Sequence, residues 1–329
     1  MRHIWLCLKQ AWNTKCTVWI LAAFLLVSNA LGASAIVFVH IGDSLPAHAE
    51  KALVQARLFN PRTRIYMVSS AQALSSLNAS VIKVPYETLE KSPEHLEFLG
   101  KRTDNGFWRH AVERFFYLDE LITKYRLHHV LHLENDVMIY FELDSLIPTF
   151  RKCFAGIGTT FLRDGQCIPG IVYIANKERL RALMPVFAEI GGRGHNDMEI
   201  FAYIRQRQGK EVIDLLPVIP TSYLDESSHL GRPLPHTSDP YRYAAHADAF
   251  NSIFDGAALG QYLGGIDAIF GPPMPGYVNT DSVFDPRRFE YTWELDRKGR
   301  NVPYIHHAGK KYRINNIHVH SKQLEKFKS

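Results

Sequence analysis

Residues 128–139 read His-His-Val-Leu-His-Leu-Glu-Asn-Asp-Val-Met-Ile, and this stretch decides the fold. Residues 128–133 predict a buried strand, and the carboxylates of Glu134 and Asp136 follow it directly. Open α/β sheets bind their ligands at the carboxyl ends of the strands. Paired carboxylate oxygens there suit a hard cation such as Mg²⁺ or Mn²⁺ bridging a diphosphate. The stretch therefore predicts an α/β sheet with a cation site at its edge.

An acid-x-acid pair is weak evidence by itself, because the chain contains four of them. Glu134/Asp136 is the one that directly ends a predicted buried strand. A turn or helix-capping role is the alternative interpretation of these acids, and the sequence leaves both open.

Strands and helices alternate around this stretch, which is typical of a parallel sheet with right-handed crossovers. Residues 217–240 and 270–316 are rich in turn residues and are expected to be irregular. The other segments predict one α/β domain with strands at 36–41, 65–68, 81–84, 128–133 and 172–175 and helices at 45–59, 107–125, 177–190, 197–206 and 250–263.

The C-terminal stretch 312–322, Tyr-Arg-Ile-Asn-Asn-Ile-His-Val-His-Ser-Lys, alternates and predicts a short strand. His318 and His320 then share one face. Two imidazoles followed by Lys322 indicate a metal ligand and a phosphate clamp. Imidazole beside carboxylates favours Mn²⁺ over Mg²⁺. A soluble edge strand with polar side chains is the alternative.

The chain has 329 residues, 46% of them hydrophobic and 22% charged, with a formal net charge of +5. This composition excludes collagen, coiled coils, disordered tails and multi-span membrane proteins. No basic run or basic patch interleaved with aromatic residues is visible, so no nucleic-acid partner is expected. Cys153 and Cys167 either form one disulfide or stay as buried thiols.

The N-terminus has the order basic, apolar, small that is typical of a secretory signal. Three basic residues and no acid accompany the apolar run 18–27. An uncleaved anchor over residues 17–35 is the alternative, and it implies membrane association. Both interpretations divide the chain into a leader, 1–35, and a catalytic domain, 36–329. Both place that domain in the secretory pathway or another extracytoplasmic space, which is the ER or Golgi lumen in a eukaryote.

Together these motifs resemble a GT-A-type glycosyltransferase of the nucleotide-diphospho-sugar transferase superfamily. The first strand opens at 40–43, and an aromatic, arginine-bearing helix, 107–114, precedes the acid-x-acid motif. Residues 168–176, Ile-Pro-Gly-Ile-Val-Tyr-Ile-Ala-Asn, resemble the strand beside the sugar site, and 196–199, Asn-Asp-Met-Glu, resemble the acid motif at a helix start. The late histidine and lysine are similar to those of glycogenin-like enzymes. Glu134 stands where the commonest motif has aspartate.

The resemblance implies a GT-A-like (Rossmann-like) α/β fold, a mixed and mainly parallel sheet with helices on both faces. It also implies metal-dependent transfer of a sugar from a nucleotide-diphosphate donor to a glycan, protein or lipid acceptor. Mn²⁺ or Mg²⁺ would neutralise the diphosphate leaving group. The implied residues are, for the metal, Glu134, Asp136 and His318 or His320; for the donor, His40, Gly42, Arg114, Glu134 and Lys322; and for catalysis, Asp197 and Asp255.

Some roles stay open from the sequence. Asp197 either accepts a proton from the acceptor or stabilises an oxocarbenium-like sugar, and a helix-dipole role is the alternative. Arg109 and Arg114 lie near opposite faces of one helix, so at most one is expected to point inward. Loops 217–248 and 264–305 are expected to carry acceptor choice.

Two other function classes use the same residues. A metal-dependent phosphate or sugar-ester hydrolase would need a nucleophile or a second metal cluster, and the sequence shows neither. A non-catalytic secreted carbohydrate-binding domain would need no metal-dependent nucleotide affinity. Binding of a nucleotide diphosphate with Mn²⁺ therefore separates the transferase from both.

Overall fold

The computed structural model describes residues 34–271 and 273–329. The predicted signal peptide or anchor, 1–35, lies almost wholly outside the described residues. Within the part that is described, no helix is long and apolar enough to cross a membrane. The first strand begins at Ala35, which is fully buried. Ala35, predicted to end the leader, therefore belongs to the sheet.

The described strands are β1 (Ala35–Val39), β2 (Arg64–Ser69), β3 (Ile82–Pro85), β4 (Val130–Leu133), β5 (Val137–Ile139), β6 (Ile157–Arg163), β7 (Gln166–Ile174), β8 (Ile213–Leu215), β9 (Ser252–Ile253), β10 (Glu290–Leu295), β11 (Asn301–His307), β12 (Lys310–Ile314) and β13 (Asn316–His318). The described α-helices are α1 (Ala47–Phe59), α2 (Ala71–Ser75), α3 (Pro93–Lys101), α4 (Phe107–Tyr125), α5 (Leu143–Cys153), α6 (Lys177–Arg181), α7 (Met184–Gly192), α8 (Asp197–Gln208), α9 (Thr221–His229), α10 (Ala247–Phe250) and α11 (Ala258–Gly264).

The main sheet has the strand order β3-β2-β1-β4-β7-β6-β8. β1 runs parallel to β2 and β4, β2 to β3, and β6 to β8, whereas β7 is antiparallel to both of its neighbours. The chain moves in opposite directions from β1 to β2 and from β3 to β4. Right-handed crossovers then put α1 and α4 on opposite faces. Every residue of β1 is buried, as covered faces require. The predicted mixed, mainly parallel α/β fold is confirmed.

Helix α4 has the bounds that its hydrophobic spacing predicts, 107–125. It ends at Arg126, whose left-handed φ of 49° allows the chain to turn back toward β4. Phe115 packs against Phe187 and Phe201, with ring centroids 5.3 and 5.0 Å away. This aromatic cluster fixes α4 against α7 and α8, and so fixes Arg114 on its inner face.

Three predictions for the C-terminal half were wrong. Residues 270–316 contain the β10-β11-β12 meander, which continues into β9. Pro303 lies within β11, and a proline in the middle of a run argues against a strand. Residues 217–240 contain α9, and the predicted helix 250–263 is divided into α10, β9 and α11. These elements depend on distant partners, such as the pairing of Ile253 with Ile314, that local patterns do not show.

The chain end returns to the main sheet through a small two-stranded sheet. β13 pairs antiparallel with β5, so that His318 lies opposite Val137. Of the two cysteines in the described chain, Cys153 is partly buried and Cys167 is buried, and both are free thiols. The pairing of β13 with β5 brings the histidine segment to the acid-x-acid motif.

Candidate functional site

The acid pair lies in a tight turn between β4 and β5, at the carboxyl end of β4. The backbone N–H of Glu134 donates to Gly170 O at 2.9 Å, which ties the turn to β7. The backbone N–H of Val137 donates to Glu134 O at 3.1 Å and closes the turn. The turn brings the carboxylates of Glu134 and Asp136 together at the edge of the sheet.

His318 reaches this turn from the other end of the chain. Its Nε2 lies 3.1 Å from Glu134 Oε2 and 3.3 Å from Asp136 Oδ1. One ligand atom from each of the three side chains lies within 4.8 Å of the others. The structure thus brings together both predicted acids and one of the two predicted histidines.

The hydrogen bonds of His318 decide which ring nitrogen faces the acids as a ligand. Its Nδ1 lies 2.9 Å from Gly256 O, which can only accept, so Nδ1 carries the hydrogen. In the neutral ring Nε2 then presents a lone pair to two carboxylates that also only accept. Such an arrangement needs a cation, either a proton on Nε2 or a metal ion. Two hard oxygens and an imidazole nitrogen fixed by a backbone carbonyl fit a divalent metal.

The charges of the site agree with this ligand set. Burial alone lowers the pKa of His318, but Asp136 and Glu134 outweigh it and hold that pKa well above its usual value. Burial opposes ionisation of Asp136, yet His318 and Lys322 hold its pKa well below the usual range. Arg114 and His318 lower the pKa of Glu134 in the same way, against burial. Both carboxylates are therefore anionic at neutral pH.

Gly170 in β7 makes room for the cluster. A β-carbon at this position would lie 2.8 Å from His318 Nδ1 and 3.3 Å from Glu134 Oε2. Contacts that short force a neighbour to move. The small residue in the motif 168–176 is therefore a requirement for His318 to approach Glu134.

Arg114 lies between two carboxylates. Its guanidinium forms an ion pair with Glu134 and donates to Asp197 Oδ2 at 2.6 Å. Because two of its nitrogens contact these acids, Arg114 orients the carboxylates of Glu134 and Asp197. Arg109 pairs instead with Glu113 on the same helix, at 3.5 Å. Of the two arginines, Arg114 is the one that points inward.

Asp197 is the first residue of α8, and Asn196 and Glu199 form a capping box around it. Its carboxylate is buried against Arg114. Burial raises the pKa of Asp197 to about 6, although Arg114 acts in the opposite direction. The group is thus an anion at neutral pH that accepts a proton more readily than an exposed aspartate.

The predicted donor-binding residues border the same turn. Lys322 forms an ion pair with Asp136 from a left-handed backbone with φ 60°. His40 follows β1, and its Nδ1 lies 3.3 Å from Asn135 Nδ2. Gly42 has φ 150°, a conformation that favours glycine, and it continues the loop after His40.

His320 and Asp255 both lie against His318. The ring of His320 stacks on that of His318 with centroids 4.2 Å apart. Burial, and then His318, lowers the pKa of His320 to about 3, so its ring is neutral. Within the described residues its buried Nε2 has no hydrogen-bond partner. Asp255 is buried and accepts hydrogen bonds from backbone amides.

One residue near the site has no sequence motif. His48 lies in the first turn of α1, and the charges of Asp136 and Lys322 both act on its pKa, which burial lowers. Its position directly after the β1 loop is the signal that points to it. A separate cavity of about 1050 Å³ includes Glu199 and Tyr203 in its lining but none of the predicted site residues.

The solved structures that match this chain include glycosyltransferases. Mouse xyloside xylosyltransferase 1 matches with a TM-score of 0.42 and 12% identity, over 60% of this chain and 92% of its own. The galactosyltransferase LgtC, in complex with donor and acceptor sugar analogues, matches with a TM-score of 0.38 and 17% identity, over 63% and 81%. The PaToxG glycosyltransferase gives 0.40 and 11%, over 54% and 70%. No protein-family model and no curated protein matches the sequence.

These neighbours belong to the enzyme class that the sequence motifs resemble. Their TM-scores are all below 0.5 and their identities below 20%. The function is therefore inferred from the residues of the site.

Proposed function

We propose that this chain transfers a sugar from a nucleotide-diphosphate donor to an acceptor in a metal-dependent reaction. The observation that carries the proposal is the position of His318 Nε2, 3.1 Å from Glu134 and 3.3 Å from Asp136. Its other nitrogen is fixed by Gly256 O, so the ring can serve as a ligand. This cluster at the carboxyl edge of the sheet is the chemistry that a diphosphate-bound cation requires.

Glu134, Asp136 and His318 would hold Mn²⁺ or Mg²⁺. When bound, the ion would neutralise charge that develops on the diphosphate leaving group. Lys322, which forms an ion pair with Asp136, would offer its ammonium to the phosphates. His40 and Gly42, in the loop after β1, are proposed to contact the nucleoside.

Asp197 is proposed to act on the sugar side of the site. Arg114 links its carboxylate to Glu134, so the proposed metal site and Asp197 are held in one ion-pair network. An anion in this position can orient the donor sugar or accept the proton of an acceptor hydroxyl.

The acceptor is proposed to approach along residues 265–271 and 273–277. This segment exposes Ile269 by 84%, Phe270 by 81% and Met274 by 62%. It borders the site, because a β-carbon at Gly264, directly before this segment, would lie 3.5 Å from Ser321 Oγ, next to Lys322 in the chain. Apolar side chains beside a polar site favour an acceptor with an apolar part. Phe270→Ser is then expected to raise the KM for acceptor while the Kd of the nucleotide-diphosphate donor in the presence of Mn²⁺ stays unchanged.

A donor screen tests the proposal most broadly. UDP- and GDP-sugars are incubated with Mn²⁺ and an acceptor mixture, and release of nucleotide diphosphate is measured with and without EDTA. Release that needs both metal and acceptor supports the transferase. Release of phosphate without acceptor would identify a hydrolase. Glycan binding without release of nucleotide or phosphate would identify a carbohydrate-binding domain.

We also propose that the residues before β1, 1–34, direct the catalytic domain, 35–329, into the secretory pathway, as a cleaved signal or an anchor. Expression in a secreting eukaryotic cell tests this location. Protection from added protease in intact microsomes is the expected result, and digestion without detergent would contradict it.

A further inference from the structure

The carboxylate of Asp255 accepts three hydrogen bonds from the backbone. Its Oδ1 accepts from Leu259 N at 3.0 Å, and its Oδ2 accepts from Gly260 N at 2.8 Å and His318 N at 2.9 Å. The side chain is 2% exposed. These three bonds join the start of α11 to the residue that faces the acid turn.

The same segment also holds the ring of His318. The Nδ1–H of His318 donates to Gly256 O at 2.9 Å. A β-carbon at Gly260 would overlap the carbonyl oxygen of His318, so the two backbones are in direct contact. Asn316, at the start of β13, exchanges two more bonds with the backbone of Asp255, at 2.8 and 3.1 Å. Residues 255–260 therefore hold His318 at its peptide and at its imidazole.

These contacts from residues 255–260 are needed because β13 itself is short. β13 has three residues and pairs with the three residues of β5. A two-stranded sheet of that size is marginal without other support. A metal ligand, in contrast, must be held within roughly half an ångström of its productive position.

We infer that Asp255 is a positioning residue that sets the placement of His318 for metal binding. This inference rests on the metal site of the proposed function. Asp255 acts through His318, because its buried carboxylate faces three backbone amides, one of them that of His318. The sequence suggests a catalytic carboxylate at this position, and the geometry points to a supporting one.

The test measures the affinity of the free protein for Mn²⁺ by electron paramagnetic resonance, without nucleotide. Asp255→Ala removes all three hydrogen bonds from the backbone N–H groups and is expected to weaken Mn²⁺ binding about 10–100-fold. Asp255→Asn keeps an oxygen for Gly260 and His318, and so is expected to retain more affinity than the alanine variant. The imidazole nitrogen coupling in the Mn²⁺ spectrum is expected to weaken in the same order.

Asp296→Asn is the matched control. Asp296 also accepts from two backbone amides, Lys298 N at 2.8 Å and Arg300 N at 3.0 Å, but in the turn between β10 and β11. This variant is expected to bind Mn²⁺ like the wild type. If Asp255→Ala does not fold, the test compares the Mn²⁺ affinity of Asp255→Asn with that of the wild type.

A second readout needs no metal. Nitrogen NMR of the metal-free protein is expected to show the His318 Nδ1–H of the wild type in a hydrogen bond, and to show that signal altered in the Asp255 variants. Wild-type Mn²⁺ affinity and an unaltered His318 Nδ1–H signal in both Asp255 variants would overturn this inference but not the proposed metal site. A wild-type protein that binds no Mn²⁺ would overturn the proposed metal site, and the inference with it.

Discussion

The acid turn, residues 134–136, and the histidine segment, residues 316–322, supply the proposed metal ligands but are held in place by different means. The acid turn follows β4, a central strand that pairs with β1 and β7. Its position comes with the main sheet. The histidine segment depends on the small β13-β5 sheet and on contacts from residues 255–260. The acid turn is therefore held by the main sheet, and the histidine segment is positioned by contacts outside that sheet.

This difference separates two kinds of substitution that are expected to disturb the site. Changes in the acid turn remove charge and leave the fold around it intact. Gly170→Ala, at the contact with the histidine segment, leaves every charge in place and is expected to move His318. The two kinds of substitution test the charge of the site and the position of its ligands separately. Their expected effects decrease from Asp136→Asn to His320→Gln.

Asp136→Asn breaks the acid half and is expected to have the largest effect. The amide keeps the shape but loses the charge that a cation requires, so Mn²⁺ binding is lost. Turnover falls on the order of 10³-fold, since metal stabilisation of a leaving group is worth several kcal/mol. Calorimetric titration with Mn²⁺ and assays of nucleotide release measure both effects.

Glu142→Gln is the matched control for this change. It alters another acid-x-acid pair, Glu142/Asp144, which the structure places at the start of α5. Mn²⁺ affinity and turnover should stay at the wild-type values. Wild-type Mn²⁺ affinity in Asp136→Asn would contradict the assignment of the acid turn.

Asp197→Asn tests a group beside both halves that is not a ligand. Turnover is expected to fall about 10²-fold or more, with Mn²⁺ affinity unchanged within a few-fold. Burial raises the pKa of Asp197 to about 6 against the effect of Arg114. The wild-type rate should thus fall as the pH drops through about 6 and the carboxylate becomes protonated. A pH–rate profile at saturating Mn²⁺ measures this acid limb, and its persistence in the variant would assign it to another group.

Gly170→Ala acts on the contact between the halves. The new methyl group would lie 2.8 Å from His318 Nδ1, so the ring must move away from Glu134. Mn²⁺ affinity is expected to fall about 10–100-fold, as for loss of a supporting contact. Gly100→Ala adds the same methyl group in α3, where nothing lies within 4 Å, and should have no effect. Equal affinities in both variants would show that His318 is not a ligand.

His320→Gln is expected to have the smallest effect. His320 stacks on His318 but is absent from the three-residue ligand group. Mn²⁺ affinity should change only a few-fold, whereas His318→Gln should lose most of it. If His320→Gln lost more Mn²⁺ affinity than His318→Gln, His320 would be the ligand and His318 its stacked neighbour.

The contrast between the halves also marks how far the sequence can predict the site. Residues 128–136 predict strand, edge and acid pair together, because strand pattern and function lie in one stretch. Helix 107–125 is predictable for the same reason, since its hydrophobic spacing is local. The choice between His318 and His320 is not, because it depends on the register of β13 against β5 and on Gly256. The role of Asp255 is equally hidden, since its partners lie 4, 5 and 63 residues away.

The central claim is that Glu134, Asp136 and His318 hold a cation that binds a nucleotide diphosphate. Thermal melting of the wild type with UDP or GDP, with and without Mn²⁺, tests it most directly. One of the nucleotides at about 100 times its Kd should raise the melting temperature by roughly 5 °C when Mn²⁺ is present. The rise should vanish with EDTA and in Asp136→Asn. No shift with either nucleotide in the presence of Mn²⁺ would contradict the claim.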